Sequence, residues 1–145
     1  LADFAIQAAS VATRMGHEPR VALLSFSNFG NPMLERSQLT RDAVLILDER
    51  EVSFEYDGEM SVDVALNSEL LALYPFCRLS APANILIMPG LHSSQIATNL
   101  LHELGGGTVI GPLLQGLSKP AQIVRMGASV SDIVNMAALT AHEAR

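Results

Sequence analysis

Apolar residues follow two rhythms along this chain. Phe4, Ala8, Val11, Ala12 and Met15 recur at helical spacing, and Gly16 follows as a stop. After a loop at "MGHEPR", residues 21–26 form a short, mainly apolar run between breakers, which predicts a strand covered on both faces. "SNFGNP" predicts a loop. Residues 39–51 carry two signals. "VLIL" looks like a strand, whereas "TRDAVLILDERE" has the length and charge of a helix, and the helix is preferred. "SFEYD" alternates and predicts a strand ended by Asp57-Gly58, and residues 60–74 predict one helix stopping before Pro75. Residues 84–88 read as a second buried strand closed by Pro89-Gly90. Ile96, Ala97, Leu100, Leu101 and Leu104 form one helical face, ended by the triple glycine at 105–107. Residues 109–114 predict a further strand, broken by Gly111-Pro112, and "LQGLSKP" a loop or crossover. A last helix over 129–144 carries Val130, Ile133, Val134, Ala137, Ala138 and Ala141 on one face. Met136 and Leu139 widen that stripe, so cover on more than one side is expected. Strands alternating with helices predict an α/β fold: a layered, largely parallel sheet with flanking helices.

Composition adds to this picture. Of 145 residues, 49% are hydrophobic, and the mean hydropathy is +0.29. Such an excess predicts a surface buried against another part of a longer chain or a second subunit. The start in mid-helix, without Met, likewise predicts a piece of something longer. The formal net charge is −6 and the nine basic residues are scattered, so no basic stripe exists for a polyanion, and nucleic acid is not an expected partner. Lys119 is the only Lys. The remaining bases are Arg, the side chain better suited to bidentate contacts with phosphate or carboxylate. The lone cysteine, Cys77 in "YPFCRL", has no disulfide partner and is read as core; a reducing, cytoplasmic setting fits it. No apolar run approaches the roughly 20 residues of a membrane span. The opening residues lack the basic region of a signal peptide, and no membrane association is expected.

Candidate chemistry collects at strand ends and helix starts. In an open parallel sheet, ligands bind beyond the carboxyl ends of the strands. "SFSNFGN" sits at such an end, and Ser25, Ser27, Asn28 and Gly30 could supply closely spaced N–H and O–H donors to an anion. The same residue types also form ordinary turns. In "PGLHSS", Ser93 or Ser94 suits a helix cap, and an anion could rest at the same helix start. Asp132 follows Ser129 by three residues in "SVSD", the pattern of a capping box with Asp in place of Glu or Gln. Arg125, just before that helix, is either a phosphate partner or a solvated cation. His17, His92, His102 and His142 show no metal-ligand spacing, no metal site is expected, and no Ser/His/Asp grouping stands out.

Four stretches together resemble the phosphate acetyltransferase (phosphotransacetylase) family: "PRVALLSFSNFGNP", "DGEMSVDVALN", "PANILIMPGLHSSQIATNLLHELGGGTVIGPLLQGLSKP" and "GASVSDIVNMAALTAHEA". Within it, "SFSNFG" and "DIVNMAAL" are more similar to the phosphotransacetylase-like domain of the large bacterial NADP-dependent malic enzymes. The resemblance implies the two-subdomain α/β fold shared with isocitrate and isopropylmalate dehydrogenases. Residues 1–118 would supply most of the second subdomain, and residues 119–145 the returning end of the first. It implies a ligand set of coenzyme A, acetyl-CoA and acetyl phosphate, with NADP and a divalent metal confined to the malic-enzyme part outside this chain. It also implies a homo-oligomer, dimeric through this domain. Ser25, Ser27, Asn28 and Gly30 then become contacts for acetyl-CoA or phosphate. Asp132 matches an aspartate thought to help deprotonate the CoA thiol.

The chain also departs from the acetyltransferase pattern. Where that pattern has a "DLSRG"-like run, this sequence has "QIVRMG": the Ser is missing, Met126 holds the Arg position, and Arg125 stands one place early. "PDLN" is here "PGLH", with no carboxylate. A thioether cannot neutralise phosphate or donate to a developing oxyanion, and such a loss costs orders of magnitude in rate. The resemblance therefore implies a regulatory and assembly domain that binds acetyl-CoA, with no catalytic residue expected in it. The alternative is an active acetyltransferase, with Asp132 as its base.

Overall fold

The computed structural model describes residues 1–144. Strand β1 (Arg20–Leu24) lies between β2 (Glu55–Met60) and β3 (Ile85–Ile87) and runs parallel to both. A strand flanked on both edges and covered on both faces must be apolar throughout, and Val21, Ala22, Leu23 and Leu24 are all buried. Alternation sends Val21 and Leu23 to one face of the sheet. There they pack with Ala2, Ala5 and Ala9 of α1 (Ala2–Arg14) and Ala43, Val44 and Leu47 of α2 (Gln38–Glu49). Ala22 and Leu24 point to the opposite face, among Met60, Val64, Ala65, Leu71, Leu79 and Ala83. Val64 and Ala65 come from α3 (Val62–Leu66), and Leu71 from α4 (Ser68–Leu71). The layered α/β fold with a parallel sheet and flanking helices is thus as the pattern predicts.

Two further helices are α5 (Leu91–Leu104) and α6 (Val130–Glu143). The chain divides into two compact units, Leu1–Ile96 and Ala97–Arg145. The sheet belongs to the first. No helix among the described residues is long and apolar enough to cross a membrane.

Several sequence expectations need correcting. The helix expected over 60–74 is two short ones, because Asn67 interrupts it. Its side chain accepts from the backbone N–H of Glu69 at 2.8 Å and of Leu70 at 3.4 Å, capping a new helix. Residues 109–114 form no strand: Gly111 has φ +148°, Pro112 has no N–H, and among the described residues no strand lies in that unit to pair with them. The first strand stops at Leu24, with Ser25 and Phe26 already in the loop. Cys77, read as core, is only half-buried at the margin of the second apolar cluster.

The second strand does not end at Asp57-Gly58 but continues to Met60 through a bulge. Leu23 pairs with Gly58 and Leu24 with Met60, which leaves Glu59 as an extra residue. Met60 thereby takes the core position opposite Leu24, and Glu59 leaves the ladder at its carboxyl end. Gly58 makes the close approach possible, since a Cβ there would stand 2.6 Å from the Leu23 carbonyl oxygen.

Candidate functional site

Two places carry the predicted site residues, one in each unit. In the first unit, the loop after β1 is built around a buried carboxylate. Glu59 has no solvent exposure. Its Oε1 accepts from Arg41 Nη1 at 2.8 Å, from the Gly30 N–H at 3.2 Å and from Ser27 Oγ; its Oε2 lies 2.9 Å from Arg41 Nη1. Arg41 projects from α2 and also donates to the Leu34 carbonyl at 3.1 Å and to Gln38 Oε1 at 2.9 Å. Ser27 has one proton and a carboxylate can only accept, so Ser27 donates to Glu59 and accepts from Ser37, 2.7 Å away. Ser37 Oγ is in turn 2.9 Å from Ser25 Oγ. The resulting chain runs Ser25, Ser37, Ser27, Glu59, Arg41. A charge this deep is tolerable only when paired, and removing one partner of such a pair typically costs about 3–5 kcal/mol.

The rest of the loop is equally tied down. Asn28 and Asn31 exchange two backbone hydrogen bonds of 3.0 Å, and the Phe29 N–H donates to the Glu59 carbonyl at 2.7 Å. Phe29 is held at φ +50°, with its ring against Tyr74 and Phe76 at 5.1 and 5.0 Å. Asn28 Oδ1 accepts from Ser61 N at 2.7 Å and Ser61 Oγ at 3.0 Å. That assignment leaves the Asn28 amide nitrogen as a donor without a partner among the described residues. Of the four residues singled out here, Ser27 is wholly buried inside the network. Ser25, Asn28 and Gly30 are half-buried, and the Gly30 N–H is already spent on Glu59.

In the second unit, Arg125 and Asp132 line one cavity of about 210 Å³. Val109, Ile110, Ile123, Val124 and Met136 supply apolar walls, and Thr98, Asn99, His102 and Asn135 supply polar ones. A turn carries Arg125 and Met126: the Ala128 N–H donates to the Arg125 carbonyl at 3.1 Å, and Gly127 takes the left-handed position at φ +83°. Met126, in the place where the acetyltransferase pattern has Arg, is fully exposed and also lines the cavity.

The capping box at α6 forms as predicted. Ser129 Oγ accepts from the Asp132 N–H at 3.2 Å, while Asp132 Oδ2 accepts from Ser129 N at 2.9 Å and Ser129 Oγ at 2.8 Å. The backbone N–H of Ser129, then its hydroxyl, then the nearby His102 charge hold the Asp132 carboxyl below its ordinary value of 3.8. Hydrogen bonds that stabilise the carboxylate in this way make it a weaker base. No group of three His, Cys, Asp or Glu side chains able to hold a metal ion occurs among the described residues.

Sequence reasoning missed Arg41, Glu59 and His102. Arg41 falls inside the helix expected over 39–51, and Glu59 between Asp57-Gly58 and the helix expected from residue 60, with no role expected for either. His102, considered for metal-ligand spacing, is exposed and lines the cavity. The signal for Glu59 was its place at a strand's carboxyl end, where a parallel sheet puts its chemistry.

The family profile described as phosphate acetyl/butaryl transferase matches residues 1–141. The chain is 58% identical over 144 residues to an NADP-dependent malic enzyme of Rhizobium meliloti, a match covering 99% of this chain and 19% of that protein. It is 36% identical over 147 residues to a phosphate acetyltransferase of Clostridium acetobutylicum, covering all of this chain and 44% of that one. The solved phosphotransacetylase from Staphylococcus aureus superposes with a TM-score of 0.91 at 30% identity, over 99% of this chain and 45% of the other. The chain thus spans about a fifth of the malic enzyme and under half of the acetyltransferase. The parallel sheet, its flanking helices and a profile that runs almost end to end agree: the chain belongs to the phosphate acetyl/butaryl transferase family.

Proposed function

We propose that this chain is an acetyl-CoA-binding regulatory and oligomerisation domain of a cytoplasmic NADP-dependent malic enzyme, and that it binds its ligand without turning it over. One observation carries the second half. In the cavity of Arg125 and Asp132, the carboxylate is committed to the cap of α6, and an uncharged methionine, Met126, stands beside the single guanidinium. Arg125, Asn99, Thr98 and Asn135 offer donors to a ligand rich in phosphate and carbonyl acceptors, as acetyl-CoA is, and the apolar walls suit its acyl group. Proton removal from a thiol needs a free base, and phosphate transfer needs charge aimed at the departing anion; with Asp132 engaged in the cap and Met126 uncharged, only Arg125 and His102 remain in this lining for both tasks. The greater identity to a malic enzyme than to a dedicated acetyltransferase supports the regulatory role. Inhibition of malate decarboxylation would follow if acetyl-CoA favours one assembly state over another.

Calorimetric titration of acetyl-CoA into the full protein, paired with an assay of acetyl phosphate formation from acetyl-CoA and phosphate, tests this reading. Saturable binding is expected, with turnover at least about a thousandfold below that of a dedicated acetyltransferase. Comparable turnover would instead establish the active enzyme, and absence of binding would leave a purely structural assembly module.

A further inference from the structure

We propose that Glu59 and Arg41 are positioning residues for ligand binding: the ion pair of buried Glu59 with half-buried Arg41, rather than the ligand, sets the conformation of the loop after β1. The inference rests on the reading of this domain as a binder of acetyl-CoA. Three features of the first unit carry it. The bulge in β2 takes Glu59 out of the ladder at the carboxyl end of the sheet, beside the loop. Its carboxylate gathers donors from two separate segments: Ser27 and Gly30 in the loop, and Arg41 on α2. The loop is therefore clamped from beneath in the free protein, with Phe29 held in a left-handed conformation by its own backbone bond to Glu59. On the outer side, Ser61 takes Asn28 Oδ1, so the amide that remains presents N–H donors to a ligand. A ligand met by this loop needs acceptor atoms, as phosphoryl and carbonyl groups have. A preformed loop lets it bind without the entropic cost of ordering seven residues, 25–31.

The experiment compares the full protein with its Glu59→Gln, Arg41→Lys and Ser27→Ala variants, reading acetyl-CoA affinity by calorimetry and the melting temperature of each. The Gly30 amide resonance serves as the local probe, since that N–H donates to Glu59. Glu59→Gln is expected to weaken binding at least tenfold while the protein remains folded at the measuring temperature. Arg41→Lys, which keeps the charge but not the fork, should fall between it and the wild type. The Gly30 amide should be protected from hydrogen exchange in the free wild type as in the bound, and should lose that protection in the free Glu59→Gln variant. Should Glu59→Gln fail to fold, Ser27→Ala, which deletes one hydroxyl, is expected to weaken binding at least threefold. Wild-type affinity in folded Glu59→Gln, or in Ser27→Ala where that stands in for it, would overturn the inference alone. Absence of acetyl-CoA binding by the wild type would overturn the functional reading, and the inference with it.

Discussion

At Gly58 a Cβ would stand 2.6 Å from the carbonyl oxygen of Leu23 and 2.9 Å from its Cβ, with φ at +154°. Both neighbours belong to the central strand and cannot move aside. Gly58→Ala is expected to destabilise the protein by about 2 kcal/mol or more, read as a fall in the denaturant midpoint with an unchanged slope. Cys77 makes a different residue-scale prediction. Burial, reinforced by the charge of Asp57, pushes its thiol pKa up to about 11. The reactive thiolate is therefore scarce at neutral pH. Iodoacetamide should modify Cys77 at pH 7.5 at least about tenfold more slowly than a free thiol, accelerating as pH approaches 11. A rate equal to that of a small free thiol at pH 7.5 would refute this. That Cys77 lies at the edge of the apolar cluster was beyond sequence reading, because "YPFCRL" shows which residues are apolar but not where the layer ends.

The best-read elements are those whose ends are local. The cap of α6 lies within four consecutive residues, and its pattern was visible before any coordinates. Ser129→Ala should cost about 1 kcal/mol, seen as a lower melting temperature and fraying of α6 in amide exchange. The pH dependence has a definite sign. The folded carboxyl of Asp132 titrates below its ordinary 3.8, so its stabilisation is fully present above that value and is lost as pH falls through the lowered one. Circular dichroism from pH 6 to pH 2 should show an acid-induced loss of helix that is smaller in Asp132→Asn. Other elements were misread because their determinants are competitive or distant. Asn67 interrupts a helical pattern only by offering its oxygen to Glu69 and Leu70. Glu59 acquires its role through strand pairing, which no local window contains. The donors of "SFSNFG" were legible as a set. What they bond to was not, because Glu59 and Arg41 lie 32 and 14 positions beyond Ser27.

At the scale of the molecule, the apolar excess has a location. The stripe that predicts α5 is the helix's outward face: Leu101 is 65% exposed, Leu104 81%, and no residue of α5 is buried. On α6, Val130, Ile133 and Val134 are exposed as well. Composition carries the apolar excess without its location, and the order β2-β1-β3 was not legible in it either, since residue pattern does not rank strand neighbours. The chain expressed by itself should self-associate at micromolar concentration. The double substitution Leu101→Glu with Leu104→Glu should suppress light scattering without loss of circular dichroism. Unchanged scattering would mean that other surfaces drive association.

The extra residue in β2 makes strand length a diagnostic trait. A homologue one position shorter at that rung would present its acidic group to Leu24, Val64 and Leu71, an environment no unpaired carboxylate tolerates. Such sequences should have exchanged the acid for a neutral side chain and, with it, forfeited the tether beneath their turn. Counting residues within the second strand would then sort family members into those with a rigid turn and those whose turn must be ordered by whatever they bind.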